Sequence, residues 1–214
     1  MATANNPSRE LILKRIRAGL STPVRYESTP ERPFFAPIEN PLERFQQECK
    51  ANLMELSLTA NAAESARQLA SILNTLPPGE IFVQDHAALR ALMQDAAISR
   101  NIRWSSQGGP REVAQATVTL AEALVAQTGS VFVSAACGGR GASVVAPCHI
   151  VYANTNQLVP DLKTALSNAT RNGILKNNSF ACMISGSSRT ADIEKILVQG
   201  AHGPIRMAVI LERR

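Results

Sequence analysis

Aromatic side chains are scarce: one Trp, two Tyr and six Phe in 214 residues. Single-stranded nucleic acid is held on stacked aromatic platforms, and duplexes on a concentrated basic face. The formal charge of +5 does not supply that face. It is spread as +2 over residues 1–50, −1 over 51–170 and +4 over 171–214, with no basic run. No nucleic-acid role is therefore expected, and a mildly basic surface suits an anionic metabolite or an acidic partner. The four cysteines, Cys49, Cys137, Cys148 and Cys182, form no C-x-x-C pair. The chain thus has no iron–sulfur or structural zinc motif of its own, and the thiols read as reduced, buried small hydrophobes. No apolar stretch reaches the length of a membrane span. The N-terminus, MATANNPSRE, is polar and leads into an amphipathic pattern, so the expected location is the cytoplasm. Also missing are a Walker A loop, a G-x-G-x-x-G fingerprint, an H-E-x-x-H helix and a G-x-S-x-G elbow. The three histidines, His86, His149 and His202, are scattered. Neither a catalytic residue, nor a metal site, nor a cofactor held by this chain is assigned.

What is present is a composition for folding: 45% hydrophobic and 18% charged residues, in a length that builds a real core. Residues 8–20 form an amphipathic helix with Leu11, Ile12, Ile16 and Leu20 on one side. Pro23, Pro30, Pro33, Pro37 and Pro41 then exclude helix and central strand. Residues 1–41 read as a helical, Pro-rich arm, which packs, with Phe34 and Phe35, on its own domain or on another copy as a homo-oligomer. Residues 42–214 read as one α/β domain. Asn40 is a good N-cap with Pro41 at the first helical position. Strands are expected at 55–59, 80–84, 102–105, 116–120, 130–135, 149–154, 180–184 and 207–211. Helices are expected at 62–76, 86–93, 121–127, 160–171 and 190–200. This alternation predicts a three-layer α/β sandwich with a mostly parallel sheet.

Residues 180–204, FACMISGSSRTADIEKILVQGAHGP, concentrate the polar, turn-forming residues. Strand, Gly/Ser loop, helix, turn and strand make a βαβ unit, whose loop offers backbone N–H groups to an anion. A second glycine loop, Gly138, Gly139 and Arg140, follows the strand at 130–135. If the two strands run parallel, both loops share the carboxyl edge of the sheet. One small anionic ligand is then held by Gly138, Gly139, Arg140, Ser185, Gly186, Ser188 and Arg189, with Asp192 orienting Arg189 or bracing the loop. A helix of ten residues spans about 15 Å. It therefore places His202 and Gly203 at the opposite edge, near Thr128 and Gly129.

The run ISGSSRTADIEKILVQGAHGPIRMAVIL resembles the C-terminal signature of the lactate-utilisation (LUD domain) family, of the LutC/YkgG type. The residues that carry the resemblance are Gly186, Ser188, Ala191 to Glu194, Gly200, His202, Gly203 and Pro204. Ser187 stands where that family usually has proline. Gln127-Thr128-Gly129-Ser130 is similar to its Thr-Gly-Thr step, and Pro147-Cys148-His149-Ile150 to its Pro-x-x-Ile step. The resemblance implies a NagB/RpiA/CoA-transferase-like fold. It also implies a non-redox role in oxidising L-lactate to pyruvate beside partner proteins that carry the iron–sulfur clusters. The alternatives are a stand-alone enzyme acting on a sugar phosphate or acyl-CoA, or a ligand-sensing regulatory module.

Overall fold

A computed structural model describes residues 7–20, 36–108, 113–190, 198–200 and 203–214. The chain divides into two units, Met1–Ala36 and Pro37–Arg214. In the first, helix α1 spans Pro7–Leu20 and has no buried residue. Its expected apolar side, Leu11, Ile12, Ile16 and Leu20, is exposed. Phe34, Phe35 and the prolines at 23, 30 and 33 lie outside the described residues.

The second unit starts with helix α2, Pro41–Ala51, where the Asn40 side chain accepts the Glu43 N–H. Strand β1 (Glu55–Thr59), helix α3 (Ala62–Asn74), strand β2 (Glu80–Val83), helix α4 (Ala87–Asp95) and strand β3 (Ile102–Trp104) follow. Helices α2, α3 and α4 each begin on a polar cap that fills an orphan N–H of the first turn. Asn61 accepts from Glu64 N, and His86 Nδ1 accepts from Ala88 N. Strands β4 (Ala114–Leu120), β5 (Ala123–Val125), β6 (Ser130–Ser134), β7 (Cys148–Asn154) and β8 (Leu158–Val159) lead to helices α5 (Leu162–Arg171) and α6 (Ile174–Asn177). The chain closes with β9 (Ala181–Ile184), β10 (Arg189–Thr190), β11 (Val198–Gln199) and β12 (Arg206–Glu212).

Six strands form one sheet in the order β1-β12-β7-β4-β2-β3, and every pairing in it is parallel. Its central strands, CHIVYAN and RMAVILE, are almost continuously buried, as sequences covered on both faces must be. Alternate residues feed two cores. Ala208, Ile210, Ile150 and Val118 pack with Leu69, Leu73, Leu89 and Leu92 of α3 and α4. Met207, Val209, Leu211 and Val151 pack with Phe45 and Cys49 of α2 and with Leu124, Val131 and Val133 of a second sheet. That sheet has four strands, β8-β5-β6-β9, and is mixed. Its outer face, Ala123, Phe132 and Met183, packs with Ala169 and Ile174 of α5 and α6. The expected α/β architecture with a mostly parallel sheet is thus present, with a small sheet inserted beneath one helical layer.

Two expected elements differ. Residues 121–127 form strand β5 and a turn, because Ala123 and Leu124 pair with Phe132 and Val131, and Ala126 N bonds Val159 O. Over so short a segment these pairings outweigh the helix preference of alanine and leucine. Strands β9 and β12 belong to different sheets, so residues 180–211 do not make a βαβ unit. Arg189–Thr190 and Val198–Gln199 pair antiparallel, so the expected helix at 190–200 is replaced at both ends by β-structure. Residues 191–197 lie outside the described residues.

Candidate functional site

The site is set by where helix α2 stops. Asn52 caps its C-terminus, and the next residue, Leu53, takes a positive φ of 55°. The Asn52 amide then donates to the Thr128 carbonyl at 2.9 Å, joining α2 to the β5–β6 turn. Gly129, φ +60°, is pressed on the backbone of α2: a Cβ there would lie 2.8 Å from the Glu48 carbonyl carbon. Gly186, φ +90°, approaches from β9, and a Cβ on it would lie 2.2 Å from the Asn52 carbonyl oxygen. Glycine is required at both positions because the backbone conformation and the missing side chain are both used.

Between these contacts runs a chain of hydroxyls. Thr128 Oγ1 lies 2.6 Å from Ser130 Oγ, which lies 2.6 Å from Ser185 Oγ. Ser130 is buried and Ser185 is exposed, so the chain leads from the interior to the surface. Ser188 N donates to Pro204 O at 2.9 Å, and Gly200 N donates to Ser188 O at 2.8 Å. Gly203 is packed on Ser188 as well, 3.2 Å from its Cβ to a Cβ built on the glycine. Ser187, at the position of the family's proline, is buried.

The expected two-edge arrangement is therefore redrawn. Strands β6 and β9 are antiparallel, with Ser134 opposite Ala181 and Val131 opposite Ile184. The loop carrying Gly138, Gly139 and Arg140 leaves one end of this sheet and the loop carrying Ser185, Gly186, Ser188 and Arg189 leaves the other, about 10 Å away for the three strand steps between those pairs. Arg140 donates to Ser179 O, and Gly138 packs on Phe82 and Ser105, at the carboxyl ends of β2 and β3. Arg189 is exposed. Thr128, Gly129 and Gly203, expected at the far edge, instead lie on the same side as Ser185, Gly186 and Ser188, linked through Ser130 Oγ, through the end of α2 and by the packing of Gly203 on Ser188. Their neighbours Asn52, Pro204 and Arg206 mark this as the amino edge of the parallel sheet, where Arg206 holds both Glu55 carboxylate oxygens, at 2.6 and 2.7 Å. Asp192 and His202 lie outside the described residues.

Three of the cysteines carry no sign of activation. Burial pushes the Cys49 thiol up to about 12 and the Cys148 thiol to about 11, and Cys182 also rises; thiols at such values stay protonated and weakly nucleophilic. Among the described residues no three of His, Cys, Asp and Glu gather as a metal site. One buried group was read from sequence only as scattered. His149 lies on β7 with Cys148 facing the opposite core, and Thr119 Oγ1 meets its Nε2 at 2.8 Å. The signal was the alternation in Ala116-Thr117-Val118-Thr119, which turns both threonines to one face.

Together these features define an α/β protein with a six-stranded parallel sheet, a small mixed sheet beside it, and signature loops that close at the amino edge. The family model described as the LUD domain matches residues 42–211, and the chain belongs to that family. Lactate utilization protein C of Macrococcus caseolyticus is 25% identical over 179 residues, covering 79% of this chain and 77% of the relative. Uncharacterized protein YkgG of Escherichia coli is 26% identical over 226 residues, covering 93% and 95%. The crystal structure of a DUF162 family protein from Deinococcus radiodurans superposes with a TM-score of 0.63 at 18% identity, over 80% of this chain and 96% of that one. That likeness confirms the fold.

Proposed function

We propose that this chain is a non-redox component of an L-lactate utilisation system, acting with iron–sulfur partner proteins and binding a small carboxylate at the signature loops. The observation that carries the reading is the match of residues 42–211 to the LUD domain, together with a relative named lactate utilization protein C along most of both chains. Oxidising lactate to pyruvate removes two electrons and two protons from the C–H and O–H of one carbon. In this reading the electrons go to the partners' clusters, and this chain binds or positions.

Proton counting supports an anion at the hydroxyl chain. Thr128, Ser130 and Ser185 bring three O–H protons, and the two contacts between them use two. One donor is left for an acceptor, and Ser185 presents the chain's outer end to solvent. Arg189, four residues on and exposed, supplies a cation whose planar fork suits a carboxylate. The test is growth of a deletion strain on L-lactate, with affinity capture of the tagged chain from lactate-grown cells. Lost growth and recovery of an iron–sulfur protein are expected. Normal growth without any such protein would overturn the reading.

A further inference from the structure

A second polar constellation lies inside the molecule. Strands β4 and β7 pair so that Thr117 is the register partner of His149, with Phe82 and Met207 next to them on β2 and β12. Ala116, Val118 and Ile150 belong to the core under α3 and α4. By alternation Thr117, Thr119 and His149 face the other layer, towards the small sheet. All three have no exposed surface. Over them passes a strap, residues 138–145, that joins β6 to β7. It starts with two glycines at positive φ, +109° and +93°, and Gly138 rests on the Phe82 ring. Its 3-10 turn, Arg140–Ser143, packs on β4 and buries Ser143. Val144 and Val145, at its far end, are exposed.

Three atoms in this layer have no hydrogen-bond partner: Thr117 Oγ1, Ser143 Oγ and His149 Nδ1. Leaving a buried polar group unpaired costs about 1–3 kcal/mol, so three together call for an explanation. Their chemistry is defined by the fourth group. Thr119 Oγ1 has only the His149 Nε2 contact, and its proton has no other acceptor. If Thr119 donates, Nε2 accepts and the imidazole proton sits on Nδ1. Burial holds this histidine down to about 4, so the ring is neutral at neutral pH and carries one N–H. The three unpartnered groups are then all donors: two hydroxyls and one ring N–H. An acceptor-rich ligand satisfies them, and a carboxylate accepts at both oxygens without offering a competing proton.

These groups lie on the face of the parallel sheet that turns towards the small sheet, with His149 and Met207 one residue in from the amino ends of β7 and β12. Phe82, Ala114, Ala142, Ala146 and Met207 belong to the core of this layer, and three of the five are alanine.

We infer that the layer beneath the 138–145 strap is a binding site for one small monocarboxylate, held by Thr117, His149 and Ser143, with the glycine-hinged strap as its cover. The far end of the strap touches the signature loops, where a Cβ built on Gly203 lies 3.9 Å from Val144 O, but Thr117, His149 and Ser143 are not residues of those loops and the inference does not depend on how they function. The full chain is titrated calorimetrically with pyruvate and with acetate, as wild type and as Thr117→Val, Ser143→Ala and Ser185→Ala. Each hydrogen bond lost to a charged acceptor is expected to weaken binding at least about tenfold in the first two variants. In protein labelled with 15N-histidine, the Nδ1 resonance of His149 is expected to move on saturation, which checks the site without any substitution. If Ser185→Ala abolishes all binding while Thr117→Val and Ser143→Ala bind as wild type, the ligand sits at the signature loops and this inference is wrong. If Thr117→Val loses binding and Ser185→Ala keeps it, this site stands and the carboxylate reading of the loops fails. No saturable heat and an unmoved Nδ1 resonance, the result expected for a buried water only, would also overturn it.

Discussion

At Gly186 a single hydrogen atom decides whether two loops meet. Any side chain there collides with the Asn52 carbonyl, at 2.2 Å, in a backbone conformation that L residues avoid. Gly186→Ala is expected to cost about 2–4 kcal/mol, from strain and displacement of the loop together, measured as a lower urea midpoint at unchanged m. His149 makes a second prediction. Its value of about 4 lies below the 6.5 of an exposed histidine. The unfolded chain therefore binds the proton first, and stability is complete above pH 6.5 and falls as the pH drops towards 4. The loss reaches about 3 kcal/mol for this group. The urea midpoint of wild type is expected to fall across that window, and His149→Gln to remove most of that fall; an equal fall in the variant would show that other groups carry it. Glycine loops were legible as loops because turn chemistry is local. Which loops meet was not legible, because that depends on whether β6 and β9 run parallel or antiparallel, and neither sequence carries its partner's direction.

Among the elements, the local signals were the reliable ones. Asn40-Pro41 starts α2 and Asn172-Gly173 ends α5, as their cap chemistry requires. Asn61→Ala, which removes the acceptor of Glu64 N at 2.9 Å, is expected to cost about 1 kcal/mol by thermal or urea unfolding, with Asn61→Asp restoring it. Where pairing partners are remote, local reading failed. Residues 121–127 have a helical composition and become β5 because β6 and β8 offer backbone partners on both sides. The same cause explains residues 189–190 and 198–199, which pair with each other. Helix α1 has no buried residue. The truncated chain, residues 37–214, is expected to melt within a few degrees of the full chain; a drop of ten degrees or more would show that the arm supports the domain.

On the scale of the whole molecule, the alternation of β and α elements and the continuous apolar runs at β7 and β12 gave the large parallel sheet away, since strands apolar on both faces need cover on both. The small sheet was not legible as a separate layer: β5, β6 and β9 are short, and their apolar runs look like further strands of one sheet. That division moves the signature loops to the amino edge and puts Thr117 and His149 on the sheet face that turns towards the small sheet. The family assignment rests on residues spread from 42 to 211, so it survives this rearrangement. No helix among the described residues is long and apolar enough to cross a membrane. The central claim, a role in lactate utilisation exercised through the signature loops, is tested most directly by complementation. A deletion strain on L-lactate as sole carbon source is supplied with wild type or with a Ser185→Ala, Arg189→Ala double variant, both confirmed as folded. Restored growth with wild type and at least tenfold slower growth with the variant are expected. Growth on lactate without any copy of the chain would contradict the account.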